Sequence, residues 1–138
     1  MRSTVRQYTQ NNVQTATPGQ LVVMLYDGLI RFMSQSRAAL ERGDVGEAGL
    51  RMSRAQAIVT ELRCTLDMTQ GQIPRNLAAI YDWTTQEMTA ARLAGDAPRL
   101  GALIAQITEL RNAWAQIAAV ERPAAASSRP VVGVNLAG

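Results

Sequence analysis

The sequence predicts an all-α protein: an antiparallel up-and-down four-helix bundle with a short N-terminal arm or helix and a disordered C-terminal tail. Three observations predict it. Four segments carry apolar residues in alternating steps of three and four, the spacing of helices that pack on helices. Short breaks separate these segments, and two of them, at residues 43–44 and 95–96, share one Gly-Asp grammar. Aromatic residues make up only 4% of the chain, so Leu, Ile, Val, Ala and Met must build the core.

The first helix opens at Thr17-Pro18-Gly19-Gln20, where Thr17 caps, Pro18 takes the first helical position and Gln20 completes a capping box. It is expected to run to Arg42. Gly43 accepts the left-handed exit, and Asp44 caps a second helix over 44–68, with Glu47 at capping-box spacing. The break at 69–72 is longer, and Pro74 restarts the chain into a third helix over 73–94. Gly95 and Asp96 repeat the exit and the cap, with Pro98 in the first turn of a fourth helix over 96–120. Two-residue breaks make the flanking helices antiparallel neighbours.

The expected core stripes follow from the spacing. The second helix presents Ala48, Met52, Ala55, Val59, Leu62 and Leu66, and the fourth presents Leu100, Leu103, Ile107, Leu110, Trp114 and Ile117. The third is thinner, with Ile73, Leu77, Ile80 or Tyr81, Met88 and Ala91. The chain thus divides into an N-terminal arm over 1–16, a bundle over 17–120 and a flexible tail over 121–138 rich in Ala, Ser, Pro, Gly and Val.

A chain of 138 residues fits one domain and needs no covalent staple. Cys64 is the lone cysteine, which fits a reducing compartment. Residues 1–10 hold no apolar run of the kind a secretory signal needs, and the longest apolar block, 21–26, is too short to cross a bilayer. A cytoplasmic location is expected. The net charge is +3, and all fourteen basic residues are arginines spread along the chain, not gathered into the stripe typical of a nucleic-acid binder.

Chemistry has little to work with. The absence of histidine removes the usual general base, a common metal ligand and the phosphoacceptor of phosphotransfer bundles. Cys64 has no second cysteine or histidine to activate it, and no glycine-rich phosphate loop occurs. Helical carboxylates such as Asp27 read as surface charges or partners of nearby arginines, Asp27 with Arg31 at i,i+4 being one example. No catalytic residue, cofactor or metal is expected; the pattern is that of a binding protein.

The first helix carries more apolar residues than one stripe requires. Leu21, Leu25, Gly28, Phe32 and Ala39 form the expected stripe, yet Val22, Val23, Met24, Tyr26, Leu29, Ile30 and Met33 point elsewhere. Two readings stand side by side. Either the surplus is an exposed interaction surface, or this helix is the most buried of the four.

Several of these segments resemble the flagellar secretion chaperone family FliS. The stretch from Tyr8 to Leu21, which contains Asn11, Val13, Thr15, Ala16 and Pro18, is similar to that family's opening segment, and Leu25-Tyr26-Asp27-Gly28 to the motif it leads into. The likeness continues through Ala55-Gln56-Ala57-Ile58, Glu61-Leu62, Leu66-Asp67-Met68, Gly71, Asn76-Leu77, Ile80-Tyr81-Asp82 and Glu109-Leu110-Arg111-Asn112-Ala113-Trp114. It spans about residues 5 to 117, and no counterpart is placed for the tail.

The resemblance implies a cytoplasmic chaperone. Its partner would be the C-terminal region of flagellin, disordered alone and helical when bound, held against premature polymerisation and passed to the export gate protein FlhA of the flagellar type III apparatus. Helix-in-groove recognition with folding on binding is the physical logic. On this sequence the flagellin-binding surface would comprise Leu21, Val22, Met24, Leu25, Leu29, Met33, Ala55, Ile58 and Leu62. Val5 and Tyr8, three residues apart in the polar arm, would form a small apolar plug that folds back on the bundle and later docks at the gate; an arm without structure or role is the other reading. Two competing functions remain, a self-associating structural bundle and an adaptor for another secretion substrate.

Overall fold

The computed structural model describes residues 16–120. Val5 and Tyr8 of the arm, and the whole tail from 121, lie outside the described residues. Four helices follow in order: α1 Pro18–Glu41, α2 Val45–Cys64, α3 Gln72–Ala94 and α4 Ala97–Ala118. Consecutive helices pack on each other, and α1 closes the square by packing on α4. This is the antiparallel four-helix bundle the periodicity predicts, and there is no strand among the described residues.

Local chemistry sets the boundaries. Thr17 and Gln20 form a reciprocal capping box: Gln20 N–H donates to Thr17 Oγ1 at 3.1 Å, and Thr17 N–H donates to Gln20 Oε1 at 2.9 Å. At both Gly-Asp turns the glycine adopts a left-handed backbone, φ 77° at Gly43 and 64° at Gly95. The next two amides turn back on the helix they leave: Asp44 N–H reaches Ala39 O and Gly43 N–H reaches Leu40 O, and Asp96 and Gly95 repeat the pattern on Ala91 and Arg92. That is a Schellman exit. Each aspartate then caps the next helix, Asp44 accepting from Glu47 N–H at 3.1 Å and Asp96 from Arg99 N–H at 2.9 Å. Glu47 does not complete a box; its carboxylate accepts from Arg51 Nε at 2.8 Å.

One boundary differs from expectation by more than two residues. The second helix stops at Cys64, not 68. Thr65 Oγ1 donates to Leu62 O and Leu66 N–H to Arg63 O, tightening the last turn. Asp67 then accepts from both the amide and the hydroxyl of Thr69, and a carboxylate bonded to the backbone two residues on is a turn former.

The core is one contiguous cluster drawn from all four helices. The α2 stripe is Ala48, Met52, Ala55, Val59 and Leu62, with Leu66 half-buried against it, as the spacing predicts. In α4, Leu100, Leu103, Ile107 and Trp114 are buried, but Ile117 is exposed and Ala118 takes the inward position. In α3, Leu77, Tyr81, Met88 and Ala91 are buried together with Thr84, whereas Ile73 is exposed. Thr84 satisfies its hydroxyl on Ile80 O, and buried Ser36 of α1 donates to Ala48 O of α2 at 2.8 Å, so these polar groups carry no desolvation debt.

At the centre, the phenols of Tyr26 and Tyr81 meet across the α1–α3 diagonal with their oxygens 2.7 Å apart. Burial pushes the ionisation of both hydroxyls up. For Tyr26, hydrogen bonds with Tyr81 and Trp114 pull partly the other way.

Candidate functional site

The first helix settles the question its sequence leaves open. Its inward face is Val22, Tyr26, Leu29, Met33 and Ser36, flanked by Gly28, Phe32 and Ala39. Most of the supposed surplus is therefore core, and α1 packs more extensively than any other helix, on α2 and α4 together. The two sets are in part exchanged: Leu21 and Leu25, expected to point inward, are half-buried at the flank, while Val22, Tyr26, Leu29 and Met33 hold the centre. A hydrophobic helix that touches two neighbours has a wide inward arc, and a single narrow stripe placed by counting can be rotated within it.

This corrects the expected exposure of the binding surface. Val22, Leu29 and Met33 of α1, and Ala55, Ile58 and Leu62 of α2, are buried in the core and present no free surface. Leu21, Met24 and Leu25 stay partly accessible. They share a face with Gly28, since they precede it by seven, four and three residues. At Gly28 the helices come close: a Cβ there would lie 3.1 Å from Ile58 Cδ1 of α2. Leu21, Met24 and Leu25 thus line the outer edge of the α1–α2 seam, with Val22 and Ile58 beneath as its rigid floor.

Further along the same seam the surface turns basic. Arg31 lies three residues past Gly28 and holds its guanidinium 5.4 Å above the Phe32 ring. Arg54, four residues before Ile58 on α2, has a buried Nη1 with no hydrogen-bond partner, and so does Gln35 Oε1, seven residues past Gly28 on α1. Two buried polar atoms left open on one seam are costly unless something supplies their partners. An incoming chain that offered one acceptor and one donor would do so.

The carboxylates play structural parts. Asp27 accepts from Arg111 Nε of α4 at 2.8 Å, not from Arg31 as the i,i+4 spacing suggests. Asp82 takes Arg63 of α2, and Glu87 takes Arg99 of α4, each through two nitrogens. These arginines hold the Asp82 and Glu87 carboxyls below their ordinary range. No cluster of three metal-ligating side chains occurs among the described residues. No described helix is long and apolar enough to cross a membrane. Cys64 is exposed at the end of α2.

Sequence reasoning missed a second apolar surface. Ile73 and Trp83 on α3 and Ile117 on α4 are 51%, 45% and 42% exposed. Trp83 could have been found, because it falls out of phase with Leu77, Tyr81, Met88 and Ala91.

A family profile described as flagellar protein FliS matches residues 1–121. The chain is similar to the flagellar secretion chaperone FliS of Bacillus subtilis, 33% identical over 115 residues that cover 83% of this chain and 86% of the relative. It is likewise 33% identical to the flagellar secretion chaperone FliS of Vibrio cholerae over 122 residues, 85% and 90% of the two chains. The namesake of Salmonella typhimurium is 32% identical over 121 residues, 83% and 90% of the two chains. These relatives are named chaperones, a class without enzymatic activity.

Proposed function

The chain belongs to the FliS family of flagellar proteins, and on that footing we propose that it is a cytoplasmic chaperone for flagellin. It binds the C-terminal segment of flagellin, prevents premature polymerisation, and delivers its cargo to the flagellar type III export apparatus through the gate protein FlhA. The observation that carries this reading is a family match that spans the whole bundle at matching length.

The α1–α2 seam supports it physically. Leu21, Met24 and Leu25 give an amphipathic helix an apolar strip, and the buried core residues Val22, Leu29, Met33, Ala55, Ile58 and Leu62 hold that strip rigid from below. Gln35 Oε1 and Arg54 Nη1 offer unmet hydrogen bonds to the same incoming segment. A disordered segment loses entropy on ordering, so its binding face must supply both apolar contact and satisfied polar groups. Val5 and Tyr8 remain the proposed contact with the gate.

Co-purification tests the reading. Full-length flagellin should be retained, and flagellin lacking its C-terminal region should not. Met24→Glu should weaken retention at least tenfold, on the order of 1.4 kcal/mol, with far-UV circular dichroism and melting temperature nearly unchanged. Equal retention of truncated flagellin would remove the proposed target, and intact binding by Met24→Glu would remove the seam. Val5→Ala with Tyr8→Ala should abolish docking to FlhA while sparing flagellin.

A further inference from the structure

The α3–α4 seam lies on the opposite side of the bundle from the α1–α2 seam, and its exposed residues form a continuous strip. Glu87 and Arg99 pair across it and fix the register of the two antiparallel helices. Trp83, Ile80 and Ile73 precede Glu87 by four, seven and fourteen residues, so they share its face. Leu110 and Ile117 follow Arg99 by eleven and eighteen, and share that face on α4. Ile80 and Leu110 are half-buried floor, and Ile73, Trp83 and Ile117 stand exposed above them. The α3–α4 contact is also the least extensive of the four neighbouring helix pairs.

The chain's own sequence offers an occupant. The family match stops at 121, so nothing in the family profile accounts for the seventeen residues from 122 to 138. Residues 121–130 are Glu, Arg, Pro, Ala and Ser, the composition of a spacer. Residues 131–136 read Val-Val-Gly-Val-Asn-Leu, with Val132, Val134 and Leu136 in alternate positions, so an extended segment would turn all three the same way.

Geometry allows the reach. The segment leaves α4 beside Ile117, at the same end of the bundle as Ile73. By the Glu87–Arg99 register, Trp83 sits level with residue 103, about 22 Å along the axis from the end of α4 at ~1.5 Å per residue. A ten-residue spacer spans up to about 33 Å. Tethering raises the local concentration of the segment to the millimolar order, so a weak apolar contact suffices.

We propose that residues 131–136 fold back and dock on the α3–α4 strip, with Val132, Val134 and Leu136 running along the stretch from Ile73 to Trp83, about 15 Å by the same register against about 13 Å of extended chain. The tail is then an intramolecular cover for this face, not a free end. The inference is independent of flagellin binding, which uses the other seam.

Tryptophan fluorescence of the full chain tests it, because Trp114 is buried and Trp83 is the accessible ring. Val132→Asp with Leu136→Asp should raise acrylamide quenching of the accessible signal roughly twofold, the loss of a tethered cover, and shift the emission to the red. The melting temperature reports that the bundle is intact. In a Trp83→Phe background the same two tail substitutions should leave quenching unchanged. Unchanged quenching with Trp83 present overturns the proposal. So does shielding that depends on protein concentration, which would make a second copy the cover, or shielding that is instead lost on Val5→Asp with Tyr8→Asp, which would make it the arm.

Discussion

The residues that carry the likeness to the family are mostly those that hold the bundle together. In Leu25-Tyr26-Asp27-Gly28, Leu25 packs at the seam, Tyr26 bonds Tyr81, Asp27 bonds Arg111, and Gly28 lets Ile58 approach. In Ile80-Tyr81-Asp82, Ile80 backs the core, Tyr81 returns the phenol contact and Asp82 takes Arg63. The tyrosine pair therefore makes a sharp prediction. Tyr81→Phe removes the phenol that Tyr26 meets, leaves the buried Tyr26 hydroxyl only its contact with Trp114, and should cost about 1–3 kcal/mol. Adding Tyr26→Phe also removes the contact with Trp114, yet the double variant should cost less than the sum of the two single variants, and denaturant melts of all three should show that non-additivity. Because burial raises both phenol pKa values, the neutral pair stabilises the fold fully below the ordinary tyrosine pKa of about 10 and loses that contribution as pH rises beyond it. Absorbance titration should show these phenols ionising only as the protein unfolds. The carboxylates have the opposite sign. Asp82 and Glu87 titrate below their ordinary range, so their pairs help above about pH 4 and fail as pH falls further. Asp82→Asn with Glu87→Gln should flatten the acid limb of a melting-temperature profile and leave the neutral plateau slightly lower.

At the scale of elements, the chain's punctuation was legible and its helical phase was less so. Thr17 marks the start of α1, and Gly43, Asp44, Gly95 and Asp96 mark four of the six internal boundaries, because each uses a side chain or a backbone freedom that few other residues possess. The end of α2 was not legible, since Thr65 and Asp67 stop it through local hydrogen bonds that compete with helix and leave no Gly or Pro signal. The phase of α1 was misplaced because its sequence is apolar over most of its turn, and only the presence of neighbours on two sides decides which residues face inward. The same limit hid the accessible part of the seam: Leu21, Met24 and Leu25 differ from Val22 and Leu29 in position, not in chemistry. The caps can be tested directly. Asp96→Ala should cost about 1 kcal/mol through the lost bond to Arg99 N–H. Gly95→Ala should cost about 1–2 kcal/mol for a left-handed backbone despite open space around it. Urea melts would read both, and a Gly95→Ala variant as stable as the parent would show that the turn can change hand or shape.

Across the whole molecule the four seams are unequal, and that inequality predicts how the bundle opens. α1 packs extensively on both neighbours and contributes the largest block of buried side chains, including Tyr26, Leu29 and Met33. α3 has the thinner contacts on both sides, carries Thr84 in its inward face, and starts at Gly71 without a side-chain cap. Less apolar contact means a smaller free-energy cost to local opening. Native-state hydrogen exchange should therefore rank the helices, with the slowest amides in the middle of α1 and the facing turns of α2 and α4. Mid-helix amides of α3 should exchange at least about tenfold faster, a difference of about 1.4 kcal/mol in opening free energy. The division suits the proposed cargo strip on α1 and α2, because the strip would keep its shape while the opposite side of the bundle breathes. Flagellin should then slow exchange along the outer edge of α1 without changing the α3 rate. Uniform exchange across all four helices would show that the bundle opens only as one unit, and would leave the thin α3–α4 seam without dynamic consequence.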